Sequence, residues 1–214
     1  MSKKIKIILI LLTLSVTLSF MSDTYSRYVV NTNSNVEMTF ANWQILVNET
    51  DITNGTTTSL AITPVIEASE HVKSNTIAPS SKGYFDILIN PSNVEVSFNY
   101  KANFKVLNEN LTDIKILKYA ILDENYIEGE TKIESQDIVD NTISGSLTFD
   151  NQTENFTYKP FTIRVYFEWY EGEDETMDNK QDSEIGLDAA TNSTKLQIQT
   201  TLKFEQEIKT TTTE

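Results

Sequence analysis

Val94, Val96, Phe98, Tyr100, Ala102, Phe104 and Val106 share one parity of the chain. Glu95, Ser97, Asn99, Lys101, Asn103 and Lys105 share the other. A period of two sends successive side chains to opposite faces, so the pattern predicts a long strand with one dry side. Phe161, Ile163, Val165, Phe167 and Trp169 repeat it, with Thr162, Arg164, Tyr166 and Glu168 outward. Leu196, Ile198, Leu202, Phe204 and Ile208 repeat it again, against Lys195, Gln197, Gln199, Lys203 and Glu205. Shorter strands are expected at 85–89, 115–122 and 143–149. Near the start, Val36, Met38 and Phe40 alternate, and Ala41, Trp43, Ile45 and Val47 continue one residue out of phase. A one-residue slip turns every side chain over, which predicts a bulge or bend near Phe40-Ala41. Turn chemistry separates the runs at Asn54-Gly55, at Asn90-Pro91-Ser92-Asn93 and at Gly145. Only 134–140 suggests a helical turn. Alternating strands with no helical partner to cover them must pack sheet on sheet. The expected fold is therefore all-β: an antiparallel β-sandwich, jelly-roll-like, forming a single domain over 27–209 with a disordered polar tail at 210–214.

The first residues break the pattern. Lys3, Lys4 and Lys6 precede the apolar run from Ile7 to Leu12, which continues more weakly to Phe20. A basic start followed by an apolar stretch of this size is the form of a secretory signal peptide, here 1–26. It is shorter and richer in Thr and Ser than the stretch of about 20 apolar residues that a spanning helix needs. Cleavage needs small residues at −3 and −1; Thr24 and Ser26 supply one pair, and Thr17 and Ser19 an earlier one. The alternative is an uncleaved N-terminal anchor. The expected location is secreted or extracellular. Signal peptidase would be the partner during export, and the membrane would be met only through the leader.

Charge then narrows the function classes. The chain of 214 residues has 17 basic and 31 acidic side chains, one histidine and no cysteine. Without cysteine there is no disulfide, thiolate metal site or cysteine nucleophile. A lone histidine excludes a multi-histidine metal centre, and a net −14 argues against a nucleic-acid partner, which selects a basic face. Removing 1–26 takes away three lysines and Asp23 and leaves the mature chain at −16. His71 lies outside any zinc-binding helix motif, and there is no Gly-x-Ser-x-Gly elbow or phosphate-cradling glycine loop. The expectation is a protein that is not an enzyme.

Half of the formal net charge falls in 171–188, with eight acids and one lysine. Oxygen ligands spaced along a loop suit a hard cation such as calcium, and Asp174, Asp178, Asn179 and Asp182 are the candidates. The order of an EF-hand loop is missing. The alternative is a solvated acidic loop between strands that keeps the surface soluble. Trp43 and Trp169 fall on apolar phases and are expected in the core. Tyr166 and Tyr170 are candidates for contact with a glycan or a partner, since both are expected to point outward beside the acidic stretch.

The leader, followed by Thr24-Tyr25-Ser26-Arg27-Tyr28 and a first strand with Trp43, resembles the TasA/camelysin-like exported proteins of Gram-positive bacteria. Three further stretches are similar: 77–87, with Pro79 and Gly83 before a strand; 161–170, with its late Trp169; and 178–186, followed by a last strand ending at Gln206. The resemblance implies cleavage after Ser26, in preference to Ser19, by a peptidase of the SipW type. It implies a jelly-roll sandwich that serves as a structural or adhesive subunit of the cell surface or biofilm matrix. It also implies self-assembly into fibres by a donated N-terminal strand at 28–40, with Tyr28, Val36, Met38 and Phe40 as donor residues. The rival expectation is a calcium-dependent module that binds a glycan or another surface ligand.

Overall fold

A computed structural model describes residues 2–26, 38–53, 62–108, 113–171 and 179–207, with only the backbone at 19–26 and 179. The chain divides into two compact units, Met1–Phe40 and Ala41–Glu214. In the first, α1 (Lys3–Ser26) takes up the whole apolar N-terminal run; Ser19 lies within it and Ser26 ends it. Among the described residues no helix is long and apolar enough to cross a membrane.

The second unit is a pair of antiparallel sheets. Its strands are β1 (Leu46–Val47), β2 (Thr50–Asp51), β3 (Val65–Ile66), β4 (Lys82–Asn90), β5 (Phe98–Val106), β6 (Ile114–Leu122), β7 (Gln136–Asp137), β8 (Thr142–Leu147), β9 (Phe161–Trp169) and β10 (Ile198–Gln206). One sheet has the order β2-β1-β4-β9-β6-β7, with β3 also on β4; the other is β10-β5-β8. The long strands β4, β5, β6, β8, β9 and β10 alternate between the two sheets. Every connection between them therefore crosses the sandwich, and the core is closed only when distant segments meet. Short loops do fold locally. Asp140 and Asn141, both at positive φ, join β7 to β8 through the Val139–Thr142 bridge. Asn48 and Glu49 do the same between β1 and β2, as two-residue hairpin turns require.

The alternating residues meet in the middle. Phe85, Ile87 and Ile89 of β4 and Ile163, Val165 and Phe167 of β9 face Phe98, Ala102 and Phe104 of β5 and Ile143 of β8. Phe98 is fully buried and stands edge-on to Trp43 and Tyr158, at centroid distances of 5.9 and 5.4 Å. The Tyr158 hydroxyl lies 3.1 Å from the Val96 carbonyl it donates to, so burying the phenol strands no polar atom.

Several local expectations change. The stretch 38–45 is not strand, although Ile45 and Val47 are buried and Trp43 packs on the core, so the parity survives without the ladder. The register irregularity lies elsewhere, in β6 between Ile116 and Lys118. It shifts parity, so Ala120 and Leu122 come opposite Arg164 and Thr162 and share their face, where both are buried. The stretch 134–140 contains β7 and no helix. A helix, α2 (Asn179–Asn192), instead occupies the second half of the acidic stretch, where a loop was expected. Gly145 is not a turn residue but sits in mid-β8, opposite Tyr100. A side chain there would overlap the Tyr100 ring. Gly145→Ala is thus expected to cost about 1–3 kcal/mol by overpacking, measured as a lower urea midpoint; an unchanged midpoint would show that Tyr100 swings away freely.

Candidate functional site

Sequence singled out residues in the first two of three regions, and the third emerges only from the fold. The first is the acidic stretch. Asp174 and Asp178 lie outside the described residues. Asn179 opens α2, and Asp182 in its first turn accepts a hydrogen bond from the Trp169 indole N–H at 3.2 Å. Asp182 thus ties the helix start to the end of β9, where an acid also suits the helix dipole. Nearby in register, the Tyr170 N–H donates to the Asp113 carbonyl, and Lys115 lies 3.6 Å over the Tyr170 ring. Asp113 is 6% exposed, and its buried Oδ1 has no hydrogen-bond donor. Among the described residues no group of three or more His, Asp or Glu side chains could hold a metal ion.

The second region is the outer face of the larger sheet, where Tyr166 stands. Tyr166 lies across from Tyr84 on the neighbouring strand, with ring centroids 6.1 Å apart. Burial pushes its phenol up, against a lowering contribution from Arg164. Arg164 was expected to face water; it is 4% exposed. Its fork takes Asp86 with both oxygens, Nε–Oδ1 and Nη2–Oδ2 at 2.8 Å, and its Nη1 reaches Glu128 at 2.8 Å. The Tyr84 ring covers the guanidinium at 3.9 Å, and Tyr126 approaches from the chain after β6. Planar, bidentate pairing suits arginine and would not suit lysine. The hydrogen bonds that Arg164 donates to Asp86 raise its pKa further, and the bond it donates to Glu128 holds that carboxyl below its ordinary value. Chemically this is a clamp: four of its five N–H donors go to the protein, and it pins 126–128 across the sheet. Tyr126 and Glu128 were missed from the sequence because they lie 38 and 36 residues from the arginine they cover.

The third region is the outer face of the smaller sheet. A shallow groove of about 390 Å³ runs over it, lined by Asn99, Lys101, Ser144, Ser146, Lys203 and Glu205. Lys101 and Lys203 are direct register partners on β5 and β10. The Lys203 ammonium lies 2.5 Å from Glu205.

Of the N-terminal donor candidates, Tyr28 and Val36 lie outside the described residues. Met38 and Phe40 are 80% and 91% exposed. His71 is exposed in a turn, where its backbone N–H donates to Ser69 Oγ. No protein-family model matches the chain, and a search of curated proteins returns no match.

Proposed function

We propose that this chain is an exported, non-enzymatic structural or adhesive subunit of the cell exterior, which self-assembles by strand addition. The observation that carries this reading is β10, a nine-residue strand at the edge of its sheet. The Gln197 carbonyl and the Glu207 N–H both bond toward β5. By antiparallel alternation the intervening odd residues face β5, and Ile198, Thr200, Leu202, Phe204 and Gln206 turn their backbone groups outward. A row of outward N–H and C=O groups is a template for another strand. The donor would be 28–40, whose Met38 and Phe40 are too exposed to contribute to a core of their own. The leader, with its basic start and apolar helix, supports export, and the resemblance to TasA/camelysin-like matrix proteins points the same way.

Thr200→Pro tests the edge. Its N–H faces away from β5, so proline removes a donor from the outer edge and leaves the β5–β10 ladder intact. Fibre formation by the exported protein, followed by sedimentation and electron microscopy, is expected to fall at least about tenfold with little change in the thermal melt. Assembly at the wild-type rate would reject β10 as the acceptor. A wild-type chain that stays monomeric at high concentration would remove the basis of the reading itself.

A further inference from the structure

The three strands of the smaller sheet carry Lys101, Lys105 and Lys203 against a single acid, Glu205. That is a net +2 within a protein of −14. Lys101 and Lys203 also stand directly opposite each other, an arrangement that costs stability in a sheet unless an anion shares the site. One acid, Glu205, is committed to Lys203, and among the described residues no acid pairs with Lys101. The two lysines, two serines and an asparagine line one groove and offer donors throughout.

We infer that this groove is a docking surface for the acidic stretch 171–188 of a second copy of the chain. Charge complementarity selects the occupant. The stretch holds eight acids and one lysine, and Glu171, Glu173 and Glu175 follow each other at a spacing of two. In an extended peptide such residues fall on one side, about 6–7 Å apart. The facing lysine backbones of a hydrogen-bonded antiparallel pair are about 5.5 Å apart, so adjacent carboxylates fit adjacent ammonium groups. A glycan is disfavoured because sugar faces stack on open aromatic rings. The ring at this groove, Tyr100, is packed on Gly145 and Phe161, with the Phe161 centroid at 5.6 Å. The groove lies on the side-chain face of β10, whereas strand addition uses its backbone edge. The two contacts do not compete, and acid-to-lysine docking would add a salt-sensitive, register-setting contact between copies.

This inference deepens the self-assembly reading and rests on it for the identity of the partner. The test is titration of a labelled peptide of residues 171–188 into the full chain, by fluorescence anisotropy, beside a peptide with every acid replaced by its amide. The acidic peptide is expected to bind saturably, to weaken at least about tenfold between 50 and 500 mM salt as screening shortens, and to lose at least about tenfold in Lys101→Glu/Lys203→Glu. Lys101→Arg/Lys203→Arg should retain binding. Lys101→Gln should weaken binding while raising the melting temperature slightly, because it relieves the like-charge pair. That combination distinguishes docking from a loss of fold. Equal binding by wild type and Lys101→Glu/Lys203→Glu, or by the amide peptide, would overturn the inference. Dextran sulfate that binds through the two lysines where the peptide does not would also overturn it, in favour of an anionic polysaccharide. If fibres form normally in Lys101→Glu/Lys203→Glu and fail in Thr200→Pro, the groove is rejected and the assembly reading stands. If neither variant nor wild type assembles, the assembly reading fails, while the peptide titration still decides whether the groove binds acids.

Discussion

Phe98→Ala is expected to lower the free energy of unfolding by about 3–5 kcal/mol, the largest effect of any single substitution considered. Phe98 is fully buried at the start of β5. Its ring meets Trp43 from the segment before β1, Tyr158 from the loop before β9, and Phe204 from β10 at a centroid distance of 6.3 Å. Removing the ring loses its transfer free energy and leaves a cavity. The walls belong to segments held by different neighbours, so they cannot collapse together to fill it. Edge-to-face contacts add about 0.5–1.5 kcal/mol per pair beyond area. A domain commonly has about 5–15 kcal/mol in total, so the variant should unfold at a much lower urea concentration. Phe98→Leu, which keeps most of the volume, should lose less than half as much. A loss below about 1 kcal/mol in the alanine variant would show that the aromatic group repacks.

Arg164→Ala is expected to cost about 2–3 kcal/mol by urea unfolding. Breaking a fully buried pair costs more than this. Here the carboxylates left behind reach water, with the Asp86 side chain 39% and the Glu128 side chain 63% exposed, so their penalty is reduced. Arg164→Lys should recover little, since one ammonium cannot bridge both oxygens of Asp86 and also reach Glu128. The clamp also has a pH signature. Glu128 is held below its ordinary value of 4.5, first by the hydrogen bond from Arg164 and then by that from Tyr126. A carboxylate with a depressed folded pKa binds fewer protons folded than unfolded. Its contribution is therefore complete above pH 4.5 and is lost as pH falls through the folded value. Below pH 4.5 the wild type should lose stability more steeply than Glu128→Gln. Parallel acid limbs in the two proteins would show that Glu128 contributes nothing to the clamp.

The strands were legible where alternation was strict. Phe161 to Trp169 is β9 to the residue; of the alternation expected from Val94 to Val106, the part from Phe98 onward is β5, and 94–97 lies outside the strand. Legibility failed where a local pattern met a distant partner. Trp43, Ile45 and Val47 keep their inward parity, yet only Leu46–Val47 pairs as strand, because a ladder needs a neighbour that sequence does not name. The bulge in β6 was hidden because 114–122 is apolar on both parities, which the covered outer face at Ala120 and Leu122 explains. The helix at 179–192 was masked by its acids: Asp182, Glu184 and Asp188 gave it the composition of a solvated loop.

The candidate sites followed the same division. Tyr166 was recognised as outward from parity alone, but its surroundings come from Tyr84 and Arg164, and the cover on Arg164 comes from Tyr126 and Glu128. Lys101 and Lys203 each looked like an ordinary exposed lysine. Their meeting across β5 and β10 bridges 102 positions of chain, a separation no local pattern can express.

Sequence by itself determined the basic, apolar start, the all-β class and which face of β5, β9 and β10 turns toward the core, because the period of side-chain direction is a property of the backbone alone. Tertiary structure decided which strands are neighbours, which outward residues are covered and which charges confront each other. Those follow from register between segments far apart in the chain, and a shift of one residue in any pairing would have exchanged the clamp, the groove and the open edge for different ones.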